Sequence, residues 1–226
     1  MNVNSVTPGL TTPTASHTAT PASPKPVISE VAVPLSAKEA RAQAFYMREE
    51  EPWKKVLCTY SYCDEEPVTR PLTKEEYIEG LKLSSEHSLG LQQAHFDKFR
   101  RDLLEIRPDL ADKKFSYTLG DDAEIKILAA DQTFATEELE WLTASINKLG
   151  GLKDLVHTHA KDMMSLVDHD SETFGNRYSL NVINFQNTID YGKVLTGKKN
   201  DLHETFIRQI HENAERRSEP FVDVVI

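Results

Sequence analysis

With 36 acidic against 26 basic side chains, this 226-residue chain carries a net charge of −10, a field that repels phosphate backbones and anionic lipid headgroups. Nucleic acid and membrane surfaces are therefore not expected partners. No stretch reaches the roughly 18 consecutive apolar residues of a membrane span, and 39% hydrophobic residues suffice for one core in a soluble protein.

The charge is unevenly placed. Met1 to Ser29 holds no Asp or Glu and one basic residue, Lys25, while proline recurs at 8, 13, 21, 24, 26 and 34 among Ser and Thr. Such a stretch cannot bury enough apolar surface to offset chain entropy, so residues 1–35 are expected to form a disordered tail and 36–226 a single mainly helical domain. An acid-poor start rich in Ser, Thr and Pro resembles the uncleaved N-terminal signals of type III secretion substrates. The resemblance is one of composition, covers the tail alone, and implies export without a cleaved Sec signal. The sequence shows neither the basic n-region nor the apolar h-region of a secretory signal, and the other expectation is a cytoplasmic protein.

Ser36-Ala-Lys-Glu39 reads as a capping box opening a helix to about Glu50, stopped by Pro52. From Trp53 to Tyr62 the mixture of aromatic and β-branched residues suits a strand or a packed loop. Pro67 and Pro71 mark a connection, and Thr73-Lys-Glu-Glu76 is a second capping box. It opens a long helical region to about Ile106, with a break expected near Ser88 to Gly90. Phe115–Leu119 and Glu124–Leu128, joined through Gly-Asp-Asp, form the one expected β-hairpin. Helical patterns resume at Thr136, with Leu139, Leu142, Ile146 and Leu149 on one face, and Gly150-Gly151 closes that helix. The next carries a stripe of Leu152, Leu155, Val156, His159, Met163, Leu166 and Val167. Residues 177–195 and 201–217 read as two further helices, and Phe221 to Ile226 as a docking segment or short strand. The fold class is thus mainly α (α+β), with about six helices around one core and one small β-hairpin.

Cys58 and Cys63 are too few for a disulfide framework and wrongly spaced for a Cys-x-x-Cys site, so they read as two thiols. His157, His159, Asp162, Asp168, His169 and Asp170 form the densest polar cluster. Metal sites need imidazoles and carboxylates converging on one point, yet His157 and His159 stand about 200° apart around a helix. The catalytic candidates are His159, Asp168, His169 and Asp170, weighed against a buried His159 and an Asp cluster ending the helix. Gly192 to Lys199 nearly matches a phosphate-binding loop but places Lys199 where a hydroxyl should hold magnesium. His203-Glu204 and His211-Glu212 resemble halves of a zinc motif, but their histidines are eight apart rather than four. No cofactor and no metal is expected.

The segment containing Asn184, Gln186, Asn187, Asp190 and Tyr191, with Phe185, mixes amides and aromatics. That mixture suits a recognition surface, or equally a helix whose amides bond across an interior groove. The favoured functional expectation is a non-enzymatic protein-interaction or regulatory protein with a protein partner. Next comes an exported effector or accessory protein, and third a metal- or His/Asp-dependent enzyme around His159 and Asp168 to Asp170.

Overall fold

A computed structural model describes residues 35–61, 66–129, 133–196 and 201–218. Nearly all of the expected tail, Cys63 and the apolar end from Phe221 lie outside these residues. The described residues form nine helices and three two-stranded antiparallel pairs around one hydrophobic core.

Helix α1, Ala37–Phe45, starts at the expected capping box: the Glu39 amide donates to Ser36 Oγ at 3.2 Å, and the Ser36 amide to Glu39 Oε2 at 2.8 Å. It buries no residue of its own and ends five residues earlier than the sequence pattern suggests. The reason is tertiary. Tyr46 turns into extended backbone and donates its hydroxyl to Asp168 at 2.8 Å.

A 3-10 turn, Pro52–Lys55, leads into strand β1, Leu57–Tyr60, which pairs with β2, Val68–Pro71. The prolines read as a connection therefore flank a strand, and Pro71, opposite Leu57, sits at its end, where a missing N–H costs no ladder bond. Both guanidinium nitrogens of Arg70 donate to Glu76, at 2.7 and 2.8 Å, and Tyr60 donates to the same carboxylate at 2.9 Å. Glu76 also accepts the Thr73 amide at 2.8 Å, closing the second capping box. The Arg70 bonds foremost, then the Thr73 amide and the Tyr60 hydroxyl, hold this carboxyl at about 2.

Helix α2, Lys74–Ile106, spans 33 residues without a break at Ser88 to Gly90, about 50 Å at 1.5 Å per residue. Its buried side chains, Ser85, Ser88, Leu89, Gln92, Phe96, Phe99 and Leu103, recur every three or four positions and so share one face. That face lies along α5, Gly150–His169, the most extensively packed helix pair among the described residues. The pair is antiparallel: Tyr77 bonds Ser165 (3.1 Å), Ser84 donates to Asp162 (2.7 Å), Gln92 donates to the Leu155 carbonyl (3.2 Å), and His95 lies against Gly151. Gly150 and Gly151 therefore open α5 rather than merely close the helix before it.

After the short α3, Pro108–Ala111, strands β3, Phe115–Leu119, and β4, Ile125–Ala129, form the expected hairpin in the register Phe115↔Ala129 to Leu119↔Ile125. Phe115, Tyr117, Leu119, Ile125 and Ile127 alternate into the core. Helix α4, Thr136–Asn147, buries Leu142 and Ile146 and closes the outer edge of β4, because Asn147 accepts the Ile125 amide at 2.8 Å and donates to its carbonyl at 2.7 Å.

The helix expected over 177–195 is instead three pieces beyond the short α6, Ser171–Phe174: β5 (Tyr178–Ser179), α7 (Val182–Thr188) and α8 (Tyr191–Leu195). Asn181 caps α7 through the Ile183 and Asn184 amides, and Asp190 caps α8 through the Lys193 amide. At the junction Gln209 of α9, Leu202–Asn213, takes up both backbone groups of Asp190, accepting its N–H at 2.7 Å and donating to its carbonyl at 3.1 Å. The chain leaves α9 at Ala214, so the expected helical run to Arg217 ends in β6, Glu215–Arg216, which pairs with β5.

Two glycines separate crowding from idle flexibility. A Cβ built on Gly192 would stand 2.1 Å from Ser116 Cβ, so α8 reaches β3 only because this residue has no side chain, whereas a Cβ on Gly90 meets nothing within 4 Å. Gly192→Ala is expected to lower the unfolding free energy by about 1–3 kcal/mol. Gly90→Ala should raise it by about 0.5–1 kcal/mol, both measured by urea denaturation.

Candidate functional site

The four catalytic candidates sit on or just beyond one helix, yet they face different neighbours. His159 is sealed in the core. Its Nδ1 lies 3.0 Å from the Tyr191 hydroxyl, its ring meets Phe206 edge-on at 4.5 Å, and its Nε2 is buried with no hydrogen-bond partner among the described residues. Burial, with a smaller contribution from nearby His203, pushes its pKa down to about 3, so the ring is neutral.

The Tyr191 ring stacks on Tyr117 with centroids 5.2 Å apart, and Tyr117 donates to Gln92 at 3.2 Å. The result is a thread of contacts through the interior, hydrogen-bonded from the Leu155 carbonyl through Gln92 to Tyr117, passed by ring stacking to Tyr191, and hydrogen-bonded again to His159. Burial raises both phenols, so neither ionises near neutrality. The arrangement fixes positions and offers no proton to a solvent-borne substrate.

Asp168 accepts from Tyr46 and pairs with Arg217, tying the end of α1 and the segment after β6 to α5. His169 is buried and meets the Trp53 ring edge-on at 5.6 Å. Asp170 caps α6 through the Thr173 amide and hydroxyl and pairs with Lys82 of α2 at 2.9 Å. Burial works to raise its pKa, but the Lys82 and Thr173 bonds outweigh it and hold the group below the ordinary carboxylate range. Asp162 is raised by burial, against one bond from Ser84.

Other histidines among the described residues are dispersed too. His157 bonds the Ala123 carbonyl at 2.7 Å, His203 lies 3.5 Å from Ser85 Oγ, and His211 stacks on Tyr178. Among the described residues no three His, Cys, Asp or Glu side chains converge in a way suited to a metal ion, and no helix is long and apolar enough to cross a membrane. Gly192 lies in α8, so the near match to a phosphate loop begins inside a helix.

The polar-aromatic segment divides between interior and surface. Asn184 is buried, donating to the Ser179 carbonyl at 3.0 Å, and Tyr191 belongs to the interior thread. Gln186, Asn187 and Asp190 line a hollow of about 400 Å³ shared with Leu128 and Lys193. Asp190, Leu128 and Lys193 also border a neighbouring cleft of about 710 Å³, framed by α2, the open end of the β3–β4 pair, and α8.

Phe96, Phe115 and Leu195, all buried, supply the apolar lining of this cleft. Arg100, Lys114 and Lys193 bring positive charge to it, and Asp97 and Asp190 bring negative charge. Arg100 lies over the Phe115 ring at 5.1 Å and donates to the Ala111 carbonyl at 3.2 Å. Lys193 stands 3.6 Å from Asp190, and Lys114 is exposed with no ion-pair partner among the described residues. Arg100, Lys114, Phe96 and Phe115 are missing from any reading of sequence motifs. Their positions are scattered over four segments, and the two phenylalanines look like ordinary core residues.

Two measurements separate structural from chemical roles. A neutral buried imidazole withholds a proton that the unfolded chain binds at about pH 6.5, so stability is full above that value and declines as pH falls toward 3. The decline is about 1.4 kcal/mol per pH unit. His159→Gln removes this component: its loss of stability between pH 7 and pH 5 should be about 2 kcal/mol smaller than that of the wild type, read by urea titration at both pH values. Asp168→Ala removes the acceptor of the Tyr46 hydroxyl and one ion-pair partner of Arg217 and is expected to cost about 1–3 kcal/mol, while Glu172→Ala, on an exposed position nearby, changes stability by less than about 0.5 kcal/mol.

No protein family, curated protein or solved structure matches the chain.

Proposed function

We propose that this is a non-enzymatic interaction or regulatory protein that holds a segment of another protein in the cleft between α2, the β3–β4 pair and α8. The cleft carries this reading: a concavity of about 710 Å³ with an apolar lining and charged groups at its border that could orient a ligand. Gly192 supports it, because its bare backbone brings α8 against Ser116 and so sets one wall next to the other. The structural use made of His159, Asp168 and Asp170 supports it from the other side. Each is engaged in holding elements together, and the sealed His159 has no access to a substrate.

A photo-crosslinking amino acid placed at Ala129 or Thr196, both exposed residues lining the cleft, should give a discrete higher-mass adduct on irradiation in cells that naturally make the protein. The same group at Glu79, exposed on the first third of α2 and about 30 Å from Arg100 along the helix, should give none. No adduct at either cleft position, or the same adduct at all three, would remove the reading.

A further inference from the structure

We infer that the segment held in this cleft is acidic and carries bulky apolar side chains between its carboxylates, an inference that rests on the interaction reading above. The argument is one of charge against background. The chain has an excess of ten acids, and its cations are widely used to neutralise them: Lys38 pairs with Asp121, Arg70 with Glu76, Lys113 with Glu138 and Lys153 with Glu124. Arg100 and Lys114 both line the cleft with no carboxylate within ion-pair distance among the described residues, and Lys193 makes only a long contact to Asp190.

Another hollow on the molecule carries the opposite balance. The hollow between β4 and α4 is lined by Asp121, Asp122, Glu124 and Glu140 against one lysine, Lys126. The α2/α8 cleft is lined by three cations and two acids, so it is a positive depression in a negative surface. At physiological ionic strength charges are screened beyond about 8 Å, so a bound carboxylate responds to these cations more than to the distant acidic excess.

Chemistry narrows the ligand further. Arg100 stands over the Phe115 ring and uses one terminal nitrogen on the Ala111 carbonyl, with donors left for a planar carboxylate. Lys114 and Lys193 are exposed ammonium groups that can donate to a carboxylate at varied angles. The more accessible Leu128 and Ala129, backed by the buried Phe96, Phe115 and Leu195, give the cleft apolar surface that a Leu or Phe side chain would cover. A peptide with acidic and apolar residues in alternation meets both demands, whereas a longer nucleic acid strand would also meet the net negative charge of the chain.

The test is fluorescence anisotropy on the full chain with labelled short peptides alternating Glu with Leu, Glu with Ser, and Lys with Leu. The Glu–Leu peptide should bind, the Glu–Ser peptide should bind at least about tenfold more weakly, and the Lys–Leu peptide weakest of all. Lys114→Glu combined with Lys193→Glu should weaken Glu–Leu binding by about tenfold or more, and the neutral pair Lys114→Gln with Lys193→Gln by less. Lys54→Glu with Lys55→Glu, the same charge change on the exposed 3-10 turn, should stay within about twofold of wild type. Circular dichroism and urea midpoints establish that each variant is folded.

Equal binding of the Lys–Leu peptide, equal loss in the Lys54 and Lys55 control, tighter binding of labelled oligothymidine, or full displacement of the peptide by octanoate would each overturn the inference. The crosslinking experiment keeps the two ideas apart. An adduct at Thr196 that survives the Lys114 and Lys193 reversals sinks the acidic ligand and leaves the interaction reading standing, whereas no adduct sinks both.

Discussion

The seam between α2 and α5 is the constraint from which the remaining geometry follows. One long helix lays an apolar face with two small serines along a second, antiparallel helix, and polar ties from Tyr77–Ser165 to Gln92–Leu155 fix how far one is shifted against the other. Each fully buried Leu, Val or Phe on such a face contributes about 1.5–3 kcal/mol, and each tie about 0.5–1.5 kcal/mol. Packing therefore supplies most of the stability. The ties set register, because sliding α2 by one turn would strand Gln92 and Ser84 against apolar neighbours. With register fixed, Tyr117 meets Gln92, Tyr191 stacks on Tyr117, and β3 and α8 acquire their places.

Local features of the chain that are satisfied by local partners were legible in the sequence. Both capping boxes, at Ser36 with Glu39 and at Thr73 with Glu76, lie within four residues, and the stripe on α5 and the alternation of β3 and β4 report burial directly. Features settled by distant partners were not. Helix α1 stops early because Tyr46 reaches Asp168, 122 positions away. The stretch expected as one helix over 177–195 divides at Ile189 and Asp190 because Gln209 of α9 satisfies the backbone exposed at the division. The β1–β2 pair was hidden by its prolines and stands on an Arg70–Glu76 contact that no periodicity announces.

The same distinction governs the candidate site. Sequence proximity made His159, Asp168, His169 and Asp170 look like a constellation, but consecutive residues at a helix end point in different directions. In the fold they serve Tyr191, Arg217, Trp53 and Lys82 respectively. The cleft gathers residues from positions near 96–100, 114–116, 128–129 and 190–196, and only the last group overlaps the segment singled out for its amides and aromatics. Within that segment the fold turns Asn184 and Tyr191 inward and leaves Gln186, Asn187 and Asp190 at the surface.

One carboxylate, that of Glu76, finishes the first turn of α2 and anchors the β1–β2 pair through Arg70 and Tyr60. These two elements are consequently coupled through one side chain. Opening the strands strips Glu76 of its cationic partner and frees it to swing from Thr73, and fraying of the turn pulls the anchor from under the strands. The molecule thus has a shared hinge pin at this end, through which strain on the exposed hairpin is transmitted into its longest helix.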